Sequence, residues 1–209
     1  APIARHPSNP RYFLWDGRPT VLVTSGEHYG AVINKAFDYG TYLRALQADG
    51  LNHTRIFSGV YREPPSWTVV TDNTLAPTPD LYAAPWARSQ VPGAADGGNR
   101  FDLTKWDPVY FARLHDFMAQ ARQRGIVVEL TLFSPMYDVG HWRLSPMSAY
   151  SNVNGVGNVP YSEALTLQHR DLLEVQVALT RKLVQELNGY DNLIWEACNE
   201  PYHAGAGIL

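Results

Sequence analysis

An amphipathic segment that ends at a glycine and runs almost at once into a β-branched strand occurs three times in this sequence, and that repetition limits the fold more than any other feature. The first unit is Asp38 to Asp49, with Tyr39, Tyr42, Leu43 and Leu46 at helical spacing, then Gly50, then Leu51 to Phe57. The second is Asp107 to Arg124, with Pro108 in the first turn and Tyr110, Leu114, Phe117 and Ala121 in phase; Gly125 leads into Ile126 to Phe133. The third spans roughly Thr166 to Asn188, with Leu172, Val175, Leu179 and Leu183 in phase, and Gly189 precedes Leu193 to Cys198. Acidic cap, apolar stripe, C-terminal glycine and strand are the start and stop signals of helices feeding strands. A further strand is expected at Thr20 to Ser25, and a hairpin over residues 12–19 with its turn at Asp16-Gly17. Strands alternating with helices give an α/β fold with a parallel sheet and right-handed crossovers. The expectation is one domain over residues 1–209.

The connections are lopsided. Helix-to-strand links are short, whereas the strand-to-helix links at 58–106 and 134–165 are long and rich in Pro, Gly, Asn and aromatics. In parallel α/β folds the loops after the strands form the ligand face. Four of the six Trp (Trp67, Trp86, Trp106 and Trp142) fall in those two loops. Low charge with 12% aromatic residues suits sugar binding, because such rings stack on apolar sugar faces, and it equally suits a well-filled core.

Other chemistries find little support. A net charge of −3 gives no electrostatic reason for nucleic acid or an anionic membrane as partner. The longest apolar run, Ile126 to Phe133, is too short to span a bilayer. The seven His have no metal-ligand spacing, so neither a metal nor another cofactor is expected. No Gly-x-Ser-x-Gly elbow is present, and Asn154 to Asn158 reads as a plain loop rather than a phosphate cradle. The single Cys198 reads as core packing, and the glycosylation acceptor Asn52-His53-Thr54 opens a strand and is expected to be unused. The chain starts at Ala1 with no basic or apolar leader, so secreted and cytoplasmic locations both stay open.

The sharpest motif is Trp195-Glu196-Ala197-Cys198-Asn199-Glu200-Pro201, at the end of the last strand. A partly buried carboxyl group there can act as a general acid, with Asn199 holding a substrate hydroxyl. The alternative is a turn-forming Asn followed by a solvated Glu.

With those residues in view, the chain resembles the first four units of a clan A glycoside hydrolase, close to family 5 cellulases: a (β/α)8 barrel whose fourth strand ends in Asn-Glu-Pro. Asn192 to Pro201 is similar along its length, and Gly50 to Arg55 is a second matching element. The resemblance implies a parallel (β/α) half-barrel and retaining hydrolysis of β-glycosidic bonds in a poly- or oligosaccharide. It makes Glu200 the acid/base, Asn199 the ligand of the hydroxyl beside the reacting carbon, and Arg55 the group that positions the carboxylates. Tyr137, Trp142, Trp67 and Trp86 are candidates for stacking on sugar rings. Glu27 and His28, after the first strand, are expected at sugar hydroxyls, with Glu27 also a candidate for the second carboxylate. Glu129 and Glu196 are expected as buried supports.

The sequence departs from the family in having Phe133-Ser134-Pro135 where many members carry a His after strand three, and in lacking strand seven with its nucleophilic Glu. The competing reading is therefore a truncated, catalytically incompetent half-barrel that at most binds carbohydrate. Open sheet edges and an apolar barrel interior predict self-association, as a homodimer or higher homo-oligomer.

Overall fold

A computed structural model describes residues 1–67 and 70–204, the side chains of 203 and 204 excepted. The helices form where the stripes and caps require. Helix α1 is Tyr39–Ala48, α2 is Pro108–Gln123, and α4 is Arg170–Leu187; a short α3, Val139–Leu144, lies between the last two. Asp38, Asp107 and Asp138 cap α1, α2 and α3 by accepting backbone N–H bonds from Thr41, Val109 and His141, each at 2.9 Å. Gly50 and Gly125 leave α1 and α2 at φ of 72° and 70°, the left-handed cap that a side chain would resist. The last helix starts later than its apolar phase predicts. Residues 163–166 are held by Thr166 N–H and hydroxyl bonds to the Glu163 carbonyl, so the helix begins only after His169.

In chain order the strands are β1 (Ala4–Arg5), β2 (Phe13–Trp15), β3 (Arg18–Thr20), β4 (His53–Phe57), β5 (Trp86–Pro92), β6 (Asn99–Trp106), β7 (Val127–Phe133) and β8 (Leu193–Cys198). The centre is a parallel sheet in the order β4-β7-β8. β1, β2 and β3 form a small antiparallel sheet, with Trp15 opposite Arg18 across the Asp16-Gly17 turn. Leu114, Phe117 and Leu179, from α2 and α4, and Ile56, Val128 and Leu130, from the sheet, are fully buried in one core. Each such side chain contributes about 1.5–3 kcal/mol. Among the described residues no helix is long and apolar enough to cross a membrane.

Two expectations are corrected. Residues 21–25 do not form a regular strand. The segment does run parallel to β4, tied at one end by Asn52 N–H to the Val23 carbonyl (3.1 Å) and at the other by Phe57 N–H to the Tyr29 carbonyl (2.8 Å). Between these ties it carries one residue more than β4 and turns through Gly26 at φ 63°, so the ladder between them fails. The Asn52 side chain fills the gap, accepting from Val23 N–H at 2.8 Å and donating to the Val21 carbonyl at 2.9 Å, which occupies the amide of the glycosylation acceptor.

The link at 58–106 is likewise not a structureless loop, because it contains the β5–β6 hairpin. The second long link joins it: Phe101 N–H donates to the Ser151 carbonyl and accepts, through its carbonyl, from Val153 N–H. The two links form one continuous cap at the C-terminal ends of the sheet strands.

The remaining expectation to change concerns the sheet face turned away from the helices. It carries His53, Arg55, Glu129, Thr131 and Glu196 beside Phe57, Val127, Phe133, Ile194 and Cys198, so it is mixed rather than wholly apolar. His53 and Glu129 face each other at 3.2 Å, and the imidazole holds the Glu129 carboxyl below its ordinary pKa against the opposing effect of burial.

Candidate active site

Parallel pairing puts Arg55 opposite Glu129, and Thr131 opposite Glu196, all on one face. The guanidinium reaches diagonally over the middle strand, where Thr131 is small enough to leave room. Arg55 Nε donates to Thr131 Oγ1 at 3.1 Å and to Glu196 Oε2 at 2.9 Å. Its Nη2 bonds the same carboxylate oxygen, which also accepts from the Thr131 hydroxyl. A further Nη2 bond, at 2.9 Å, goes to Asn199 Oδ1. Burial alone would lower the Arg55 pKa; the Glu196 carboxylate outweighs it and holds the pKa above the ordinary value. Glu196 is thus the anchor of Arg55, the supporting role its position in the strand implies.

Asn199 is fixed at three points. Its Oδ1 accepts from Arg55, its Nδ2 donates to Ser134 Oγ at 3.3 Å, and its N–H donates to the Phe133 carbonyl at 2.9 Å. Ser134, in the stretch that departs from the family pattern, is what holds the amide. The next residue, Glu200, has φ 41°, a left-handed conformation for a residue that also precedes proline. Such a conformation costs about 1–3 kcal/mol and persists only where its surroundings enforce it. The strand ends here and Pro201–Ala204 forms a single 3-10 turn, so the kink sets the direction of the Glu200 carboxylate.

Tyr137, from the link after β7, donates its hydroxyl to Glu200 Oε2, and Tyr202 also hydrogen-bonds Glu200. Burial first, and the Glu200 carboxylate second, push the Tyr137 pKa well up, so the phenol remains a donor across the working pH range. A donor to the ionised carboxylate favours that form. If Glu200 is a general acid, Tyr137→Phe is expected to move the alkaline limb of the kcat/KM profile upward, by about half a pH unit to one unit for a lost bond of about 1 kcal/mol. A pH–rate profile of the variant checks this, and a downward move contradicts it.

Trp67, 43% exposed, stacks on Tyr137 at 5.9 Å. Behind it stands buried His141, edge-on to Trp67 at 4.3 Å, bonded through Nδ1 to Asp138 and stacked on Tyr61. Tyr61 donates to Glu63 Oε1 at 3.3 Å. The sequence pointed to neither Tyr61, Glu63, Asp138 nor His141. The available signal was position alone, since each follows closely on the end of a central strand in a long link.

Glu27 and His28 line a cavity of about 280 Å³ with Tyr29, Glu63 and Asn73. Glu27 accepts from the Tyr29 hydroxyl at 3.3 Å, and the Tyr29 ring lies 5.3 Å from the Arg55 guanidinium. Glu27 is thus joined to the Arg55–Asn199 group through one ring. His28 packs against Phe37 and Tyr42, and burial lowers its pKa.

Two of the expected sugar platforms are not available. Trp142 is 1% exposed, with its indole N–H donated to the Val159 carbonyl. Trp86 is equally buried, stacked on Trp106. Both rings are core for the cap formed by the long links. Cys198, half-buried beside Glu196, has its thiol pKa pushed to about 11, first by burial and then by that carboxylate, so it is protonated at neutral pH. Among the described residues no group of three or more His, Cys, Asp or Glu side chains could hold a metal ion.

No curated protein matches the sequence. The model of a domain of unknown function, DUF6298, matches residues 72–166, less than half of the chain, covering most of the two long links and the β/α unit between them. Among solved structures, a Bacteroides vulgatus ATCC 8482 protein provisionally assigned as a glycoside hydrolase is 20% identical, with a TM-score of 0.61 over 97% of this chain and 33% of its own. A family 5 mannosidase from Rhizomucor miehei is 13% identical, with a TM-score of 0.52 over 96% of this chain and 49% of its own. The β-mannanase of the blue mussel Mytilus edulis is also 13% identical, with a TM-score of 0.51 over 91% and 44%. The chain thus spans a third to a half of the length of these structures, and the fold it shares with them is that of glycoside hydrolases.

Proposed function

We propose that the chain is the acid/base-bearing half of a retaining β-glycosidase barrel, with Glu200 protonating the leaving oxygen and then activating water. The observation that carries this reading is Glu200 itself: a carboxylate held in a strained backbone conformation at the end of a parallel strand, hydrogen-bonded by Tyr137 and preceded by an Asn that Arg55 orients. Strain of this kind collects where a side chain must be aimed rather than where the chain merely turns.

Asn199 binds the hydroxyl beside the reacting carbon, Arg55 positions both groups, and Trp67 with Tyr137 offers the face on which a sugar ring stacks. Glu27 and His28 contact further hydroxyls. A retaining mechanism pairs the acid/base with a second carboxyl group about 5 Å away, and Glu27 is the candidate for it within this sequence. The fold shared with mannan- and mannoside-cleaving enzymes favours a β-linked substrate built on mannose or a similar hexose.

The test is hydrolysis by this chain of a panel of aryl β-glycosides, with the anomeric form of the product followed by NMR. Release of β-sugar first supports the reading. Release of α-sugar overturns retention, and an inactive panel favours the competing reading, a half-barrel that at most binds carbohydrate.

A further inference from the structure

A cavity of about 670 Å³ lies beside the site, between the two long links, and Glu63 lines both it and the cavity of Glu27 and His28. Its volume is that of small-molecule sites. Its chemistry differs from that of the cavity of Glu27 and His28. Proline rings (Pro64, Pro77 and Pro79) and Tyr150 form rigid apolar walls, and Arg62, Arg100 and Arg143 supply charge.

The carboxylates available to neutralise those arginines are already used. Asp96, with a side chain only 4% exposed, is shared by Arg62 Nη1 at 2.7 Å and Arg88 Nη2 at 2.6 Å. Burial opposes its charge, and the two guanidinium groups outweigh burial and hold its pKa below the ordinary value. Glu63 accepts from Tyr61 and from Asn73 Nδ2. Arg62 is itself 3% exposed, spends Nη2 on the Pro77 carbonyl, lies 3.9 Å over the Tyr82 ring, and keeps a buried Nε with no partner.

Arg100 and Arg143 pair with no carboxylate among the described residues. Arg100 Nε makes one bond of 3.3 Å, to the Gly93 carbonyl, and Arg143 lies 4.5 Å from the Tyr150 ring. Three guanidinium groups (62, 100 and 143) therefore line the cavity against two carboxylates (63 and 96), and Arg88 draws on Asp96 from outside the lining, in a chain whose net charge is −3. The excess is local to the cavity.

We propose that this cavity binds an anionic sugar residue, one bearing a carboxylate or a sulfate, and so gives the neighbouring site a preference for charged saccharides. The planar forks of Arg100 and Arg143 match the paired oxygens of either group. Tyr150, 47% exposed, and the proline rings give the sugar's C–H face a surface to pack on. The saccharide part of the proposal rests on the glycosidase reading, whereas the charge rests on the cavity alone.

Isothermal titration of the chain with four β-1,4-linked tetrasaccharides tests it: tetramannuronic acid, its full methyl ester, a sulfated mannotetraose and mannotetraose itself. At least one charged probe is expected to bind ten times or more tighter than both neutral ones, and which one distinguishes uronate from sulfate ester. The Arg100→Gln/Arg143→Gln double variant is expected to lose that preference while binding mannotetraose unchanged. Its thermal midpoint should match the parent, because neither guanidinium is ion-paired; the single variants, each expected to lose about threefold, take its place if it does not. Equal affinity for charged and neutral probes overturns the proposal and leaves the glycosidase reading standing. No binding of any saccharide contradicts the glycosidase reading itself.

Discussion

Under the proposed function, Glu200→Gln is expected to lower kcat/KM on an oligosaccharide with an unactivated leaving group by about 10³-fold, the scale of a lost general acid and base. The substitution keeps the shape of the side chain, and its amide oxygen can still accept from Tyr137. What it lacks is a proton acidic enough to give to the leaving oxygen, and a lone pair basic enough to take one from water. Thermal unfolding of the variant should match that of the parent, because the amide keeps the volume of the side chain and an oxygen to accept from Tyr137. A variant that keeps its rate within threefold of the parent removes Glu200 from the chemistry.

Arg55→Met is expected to lower stability and, under the proposed function, activity as well. The guanidinium is 16% exposed and its partner Glu196 24% exposed, so the change leaves a mostly buried carboxylate facing only the Thr131 hydroxyl. Breaking such a pair from one side costs about 3–5 kcal/mol when it is fully buried, and the remaining exposure here brings the expectation to about 2–3 kcal/mol. Asn199 loses the donor to its Oδ1 at the same time, so kcat/KM should fall beyond what the lost stability explains. Urea unfolding reads the first effect, and kinetics well below the unfolding midpoint reads the second. The double variant Arg55→Met/Glu196→Gln should recover part of the stability, since it removes the orphaned charge, without recovering activity. Full stability in the single variant would mean that the pair contributes nothing.

How much of this was legible in the sequence follows from which interactions are local. α1 and α2 could be bounded because their caps, Asp38 and Asp107, and their exits, Gly50 and Gly125, lie within a few residues of the helices they end. β8 was equally clear, as an apolar run between a turn and Asn-Glu-Pro. The segment before Tyr29 was misread because its apolar content promised a strand, while the extra residue around Gly26 breaks a ladder that only β4 can reveal. The β5–β6 hairpin was missed because its register shifts twice, and because Arg88 and Asn99 make side-chain bonds to carbonyls across the pair, which erases simple alternation.

The candidate site divides in the same way. Asn199 and Glu200 adjoin each other in one motif, and Arg55 lies in the middle of a strand two positions away in the sheet, so motif and topology together bring the three side by side. Burial of Trp86 and Trp142, and the stacking of Tyr61 behind His141, depend on how two links of many residues pack on each other, and no local pattern encodes that.

The assignment of Glu200 as acid/base is tested most directly by chemical rescue. Glu200→Ala is assayed on a 2,4-dinitrophenyl β-glycoside, whose leaving group needs no acid, with and without sodium azide. Without the base, water attacks the glycosyl-enzyme slowly; azide needs no deprotonation and should accelerate turnover tenfold or more, forming the β-glycosyl azide in place of the free sugar. Unchanged turnover, with free sugar as the sole product, would contradict the account.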